Sequence, residues 1–188
     1  MGILLGLAPF IAFFLLTRVA SVAAGLWIGA LVAAALILRS RMRAPGGGVK
    51  VLEAGALILF LLLAVIASVL RPDWSVFEVR FLVDVGLIAI TLGSVLIGRP
   101  FTLQYAREMV PPERQNHPAF YTVNRTISLV WVVAFVIEAA TAAVVVWAPD
   151  VPPGLAVAIN VAAIAGAAWF TVEYPKRVRA RLAALAGG

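Results

Sequence analysis

The chain contains no cysteine and a single histidine, His117, among its 188 residues. Without cysteine there are no disulfide bonds, no thiol nucleophile and no thiolate metal site. A metal or haem centre needs several convergent ligands, so one histidine excludes the histidine clusters of membrane metalloenzymes. The sequence also lacks a Gly-rich phosphate loop, a Gly-x-Ser-x-Gly elbow and a His-Glu-x-x-His pair. We therefore expect no metal, no cofactor and no enzymatic activity.

Charge is scarce as well, and apolar residues dominate. Only 13% of the residues are charged and 63% are hydrophobic, which is more than a soluble domain of this length can bury in one core. Five apolar blocks have the length that a helix needs to cross a hydrocarbon layer of about 30 Å. We predict one all-α integral membrane domain over residues 1–188, a polytopic bundle with five transmembrane helices within Val19–Leu38, Ala54–Leu70, Phe81–Gly98, Thr126–Trp147 and Val151–Val172.

A sixth apolar block, Gly2–Thr17, is shorter and contains Pro9. As a helix it would reach only about 24 Å, which is marginal for a span and sufficient for a tilted or half-inserted segment. No basic region precedes it, and Arg18 follows it, so the pattern differs from that of a secretory signal. We expect this block to belong to the mature protein, as a sixth span or a re-entrant segment.

The basic residues indicate the orientation of the bundle. Twelve of the fifteen fall in three segments, residues 39–50, residues 99–125 and the tail from Lys176. These segments are separated by even numbers of predicted spans, so all three belong on one side, and the positive-inside rule makes that side cytoplasmic. The net charge of +6 then reflects topology and attraction to anionic lipids, and it gives no reason to expect a nucleic acid partner.

The polar stretch 98–125 predicts a helix that lies along the cytoplasmic membrane surface near residues 100–110. Pro100 suits the first turn of such a helix, and the prolines at 111 and 112 end it. At 100° per residue one side is polar and most of the rest is apolar, so the apolar rings should dip into the acyl boundary. We expect contact with lipid or with a cytoplasmic partner protein through Phe101, Gln104, Tyr105, Arg107 and Glu108.

Four polar residues fall inside the predicted spans: Arg80, Asp84, Glu138 and Asn160. An ionisable group at this depth costs several kcal/mol unless it is paired or hydrated. The last three lie about 9–14 Å from the outer ends of their helices, so they share one layer. Two interpretations remain open: polar contacts that hold the helices together, or a path for a proton or a small solute.

Two glycine pairs bear on the association of helices. Gly2-x-x-x-Gly6 and Gly25-x-x-x-Gly29 each place small residues one turn apart, which permits close approach of another helix. These faces are consistent with packing in a homodimer.

The layout of the chain resembles that of the intracellular septation protein A family of bacterial inner-membrane proteins. The resemblance rests on the basic connector after the first long block, the Arg99-Pro100 step, the stretch to Glu108 and the following span with Trp131 and Phe135. It implies a multi-pass protein of the bacterial inner membrane, without known enzymatic activity, that serves cell-envelope maintenance and septation through protein or lipid partners. A small transporter and an accessory subunit of a larger membrane complex remain alternatives.

Overall fold

The computed structural model describes residues 5–17, 19–43, 48–70, 72–148 and 150–186, and every regular element among them is an α-helix. Five of its helices are long and apolar enough to cross a membrane, namely α2, α3, α4, α7 and α8. This confirms the predicted all-α bundle with five spans. The helices are α1 Ala8–Leu16, α2 Val22–Arg43, α3 Val51–Val69, α4 Val76–Leu96, α5 Phe101–Arg107, α6 Pro112–Gln115, α7 Pro118–Trp147 and α8 Pro153–Ala186.

Successive spans run in opposite directions, so the connectors alternate between two ends of the bundle. One end of the bundle holds the α2–α3 connector, the α4–α7 connector and the C-terminus of α8, and we name it the basic end. The opposite end is the far end. Helix α4 packs on α7, α2 packs on α3, and α8 packs on α7. The short helix α1 lies against α2.

Two spans are longer than their apolar blocks. Helix α7 starts at Pro118, and α8 continues through Pro175 to Ala186. Arginine, lysine, alanine and leucine favour a helix in water as well as in lipid. A helix can therefore continue past the residue at which hydropathy falls. At 1.5 Å per residue the 34 residues of α8 extend about 51 Å, well beyond a hydrocarbon layer of about 30 Å.

The described part of the N-terminal apolar block contains the nine-residue helix α1, which extends about 14 Å, half the length of a span. Its phenylalanines pack on α3, where the ring centres of Phe10 and Phe13 lie 5.1 and 5.7 Å from that of Phe60. Residues 2–4 lie outside the described residues. Helix α1 therefore contributes an aromatic face to the bundle.

The glycines of the predicted dimer face pack inside the chain. A Cβ atom on Gly25 would lie 2.8 Å from the Thr17 side chain, and one on Gly29 would lie 2.8 Å from the Phe60 ring. Gly25 and Gly29 thus serve close packing within the chain, and the homodimer stays a prediction. Gly6 lies against the Tyr105 side chain, and Gly2 lies outside the described residues.

The predicted surface helix exists as α5, but its apolar side faces protein. It ends at Arg107 rather than near residue 110, and Phe101 and Tyr105 are 0% and 1% exposed. Both rings belong to the core cluster around Trp131. The prediction that these rings dip into lipid is therefore wrong.

The backbone before α5 explains why this helix turns inward. Gly98 has φ +73°, a left-handed conformation that only glycine adopts without strain, and it ends α4. The chain then folds back, so that the Phe101 N–H donates to Ser94 Oγ at 3.0 Å and the Thr102 hydroxyl donates to the Asn124 carbonyl at 2.7 Å. These bonds attach α5 to α4 and α7.

Candidate functional site: a cleft with a charged end

Helices α4 and α7 bring three charged side chains together at membrane depth. Asp84 follows Arg80 by four residues and so lies on the same face of α4. Arg80 Nε lies 3.8 Å from Asp84 Oδ2, and Arg80 Nη2 lies 3.5 Å from Glu138 Oε1. Both separations exceed the usual hydrogen-bond length of about 3.2 Å, so one guanidinium holds two carboxylates in loose ion pairs.

An aromatic ring of α1 covers the guanidinium. The Arg80 Cζ atom lies 5.0 Å from the centre of the Phe14 ring, within the range of a cation–π contact. A ring over the guanidinium excludes water from one of its faces. The N-terminal apolar block thus forms part of the charged site, which its composition alone does not indicate.

Asn160 of α8 joins the same region through a threonine. The Thr141 hydroxyl lies 2.7 Å from Asn160 Oδ1 and 2.8 Å from the Glu138 carbonyl oxygen. Asn160 is 5% exposed, and its oxygen is bound to α7 rather than to Arg80 or Asp84. Thr141 is not conspicuous in the sequence, although its position three residues after Glu138 places it on the same helix face.

All four predicted polar residues line one cleft of ≈ 440 Å³. Helix α4 adds Val83 and Leu87, α7 adds Phe135, and α1 and α8 form the two sides. The mouth lies between Ile11 of α1, which is 50% exposed, and Val161 of α8, which is 63% exposed. Except for its charged end the cleft is apolar, and Val161 lies within the apolar span of α8.

The charged end has an excess of acidic groups. One guanidinium faces two carboxylates, and no other titratable side chain lines the cleft among the described residues. Asp84 is 7% exposed, and its Oδ2 atom has no hydrogen-bond partner. With all three groups ionised, the cluster carries one negative charge that no side chain of the cleft neutralises.

A second polar network lies at the basic end and includes most of the predicted surface-helix residues. Lys50 Nζ lies 2.7 Å from Glu108 Oε1 and 3.5 Å from Glu53 Oε1. Gln104 Oε1 accepts from the Val51 N–H at 2.8 Å. Glu53 is only 1% exposed. Its place in the first turn of a span is the one feature of the sequence that indicates a polar contact there, because a charged group near lipid needs a partner.

These contacts decide which side chains of the predicted surface helix remain free. Gln104 and Glu108 are bound to the start of α3, whereas Arg107 is exposed. Burial raises the pKa of Tyr105, as do the nearby carboxylates of Glu53 and Glu108, so the phenol stays neutral. Its hydroxyl has no hydrogen-bond partner. The network fixes α5 to the bundle, and Arg107 is the charged side chain of α5 that remains exposed to a partner.

The cleft can offer a ligand both polar and apolar contacts. Among the residues that the structure describes, no group of three or more acidic or histidine side chains is placed to hold a metal ion. The cleft offers carboxylate oxygens at one end and hydrocarbon and aromatic surface elsewhere. Comparisons of the chain with protein-family models, curated proteins and solved structures found no match.

Proposed function

We propose that this chain is a non-enzymatic membrane protein that binds a lipid-like amphiphile in the cleft between α1 and α8. One observation supports this function above all: the four intramembrane polar residues line an apolar cleft that also includes the exposed residues Ile11 and Val161. Residues that served only to hold helices together would be sealed between them. Here the carboxylates lie within reach of a molecule that enters from the side.

The size and lining of the cleft define the ligand. A volume of ≈ 440 Å³ lies within the range of about 300–1,000 Å³ found for small-molecule sites. It suits one hydrocarbon chain or a compact apolar group, with the polar head at Asp84 and Glu138. Apolar walls favour such a ligand because its hydrocarbon exchanges contacts with lipid for similar contacts in the cleft. No polar group has to lose its hydrogen bonds when the ligand enters.

A lipid ligand agrees with the place that the sequence suggests for the protein. We propose that it resides in the bacterial inner membrane, with its basic end and C-terminus in the cytoplasm. The resemblance to the intracellular septation protein A family supports a role in the cell envelope and in septation. Binding of an envelope lipid would connect the cleft to that role, and the exposed basic tail of α8, with Lys176 and Arg177, suits anionic head groups.

A small transporter is the second candidate, and one observation favours it. Asp84, Glu138 and Arg80 line the cleft, as they would if a carboxylate exchanged protons during transport. Movement of the ligand or of protons across reconstituted vesicles would distinguish a transporter from a binding protein.

Filling the mouth of the cleft tests the binding function. Ala165 lines the cleft and is exposed, so an indole in Ala165→Trp should lie across the entrance. We expect saturable labelling by a photoreactive long-chain alcohol, measured in lipid nanodiscs, to fall at least about tenfold, as expected when most of the apolar contact is lost. Val161→Trp, at the same mouth, should have the same effect.

The control for this test lies on the same helix. Ala162 is also exposed but does not line the cleft, so Ala162→Trp should retain the labelling of the unmodified chain. Labelling that cannot be saturated with unlabelled alcohol, or that survives both Ala165→Trp and Val161→Trp in folded protein, would contradict the proposed site.

The proposed orientation is tested by single cysteines, which the cysteine-free chain allows. Asn116→Cys at the basic end and Ala180→Cys in the tail should resist an impermeant thiol reagent in intact cells. Asp73→Cys at the far end should react, because the positive-inside rule places the basic end in the cytoplasm. Labelling of Asn116→Cys from outside would reverse the assignment.

A further inference from the structure

We propose that the head of the ligand is a monovalent organic cation, which binds at Asp84 and Glu138 in exchange for a proton. This inference rests on the proposed function, because it assigns a chemical class to the ligand of the same cleft. The positive head of the ligand neutralises the excess acidic group at the charged end. An anionic head would add to the excess negative charge, and a neutral head would leave a proton as the neutralising charge.

The charge count leads to this class of ligand. Arg80 contacts both carboxylates at 3.5 and 3.8 Å, so its single positive charge is already shared. A second negative charge in a low-dielectric site is unfavourable unless a positive charge joins it. An anionic head group would add a third negative charge beside two carboxylates, so the cleft selects against it.

The neighbouring rings favour the same choice. Phe10 and Phe135 line the cleft together with the carboxylates. The faces of aromatic rings attract cations, above all cations that carry little water, such as substituted ammonium or phosphonium groups. Rings and carboxylates together suit a cation with apolar substituents better than a hydrated metal ion, for which the described residues offer no ligand group.

In the absence of such a cation, a proton is the available positive charge. The titratable groups that face the cleft are Arg80 and Asp84 from α4 and Glu138 from α7, and the described residues of α1 and α8 contribute none. One carboxyl group then holds a proton between Asp84 and Glu138. Entry of the cation displaces this proton to bulk water, so charge and atoms balance with up to one proton released for each cation bound.

The test compares two ions of the same shape and opposite charge. Tetraphenylphosphonium and tetraphenylborate should be titrated into the purified full chain in nanodiscs, with empty nanodiscs subtracted. We expect the cation to bind at least tenfold more tightly than the anion. In weakly buffered solution, binding of the cation should acidify the medium by up to one proton per chain, and its affinity should rise with pH because the competing proton is removed.

Variants locate the effect. Asp84→Asn and Glu138→Gln each remove the excess negative charge and should each lower the affinity for the cation at least tenfold. Asp150→Asn, which removes an exposed acidic group outside the cleft, should leave the affinity within twofold. Two separate cleft variants and the proton measurement on the unmodified chain keep the test decisive if one variant does not fold.

The outcomes separate this inference from the proposed function. Equal or tighter binding of tetraphenylborate, absence of proton release, or unchanged cation affinity in both cleft variants would overturn the cationic head. If saturable labelling by the neutral alcohol persists in that case, the binding function stands. If neither the alcohol nor either ion binds saturably, both proposals fail.

Discussion

Arg80→Leu is expected to lower the free energy of unfolding by about 3–5 kcal/mol, the usual loss when one partner of a buried ion pair is removed. The side chain of Arg80 is 13% exposed and contacts two carboxylates on two helices. Leucine fills the space but leaves Asp84 and Glu138 facing each other without a cation. The measurement is unfolding in mixed detergent, followed by circular dichroism.

Two controls accompany this measurement. Arg177 also pairs with a carboxylate, Glu173, at 3.6 Å, but its side chain is 62% exposed, so Arg177→Leu should change stability by about 0–1 kcal/mol. Asp84→Asn should cost less than Arg80→Leu, because Arg80 keeps its contact with Glu138 and a neutral amide leaves no unpaired charge in its place. If Arg80→Leu and Arg177→Leu are equally mild, the cluster at the charged end does not stabilise the bundle.

The structural role of this cluster is compatible with the proposed ligand binding. Arg80 joins α4 to α7 through Glu138, and Thr141 joins α7 to α8 through Asn160. These contacts fix the helices that form the cleft. The long ion-pair distances and the unpartnered Oδ2 of Asp84 leave binding capacity at the same place, so removing one carboxylate should affect the ligand more than the fold.

Hydropathy and charge predicted the spans and the polar layer for a simple physical reason. A lipid environment requires long apolar segments, so the five spans are visible as blocks of sequence. It also makes each intramembrane charge costly, which singles out Arg80, Asp84 and Glu138. These residues could be identified because the penalty acts on each position by itself.

Contacts between distant segments were not visible in the same way. The pattern of α5 identifies its apolar face, but protein and lipid are equally apolar, so periodicity cannot decide which of them covers Phe101. The φ angle of Gly98 decides it, because it determines the direction in which the chain leaves α4. Likewise, Phe14 is one of many aromatic residues in the sequence, and only the fold places its ring over Arg80.

The largest effect on stability at the basic end is expected for Phe101→Ala. The ring is fully buried in the core cluster with Leu52 and Trp131, and removal of a buried phenylalanine costs about 3–5 kcal/mol through lost burial and the remaining cavity. Tyr105→Phe should change stability by less than about 1 kcal/mol, because the hydroxyl that it removes has no hydrogen-bond partner. Thermal unfolding in detergent measures both.

Met109 provides the comparison that separates a buried helix from one that rests on lipid. It lies just beyond α5 and is 60% exposed, so Met109→Ala should change stability by no more than about 0.5 kcal/mol. A helix that contacted lipid through its whole apolar side would show similar, small effects at Phe101 and Met109 in detergent. Equal losses at the two positions would therefore contradict the inward packing of α5, whereas a large loss confined to Phe101 follows from its place between α3 and α7.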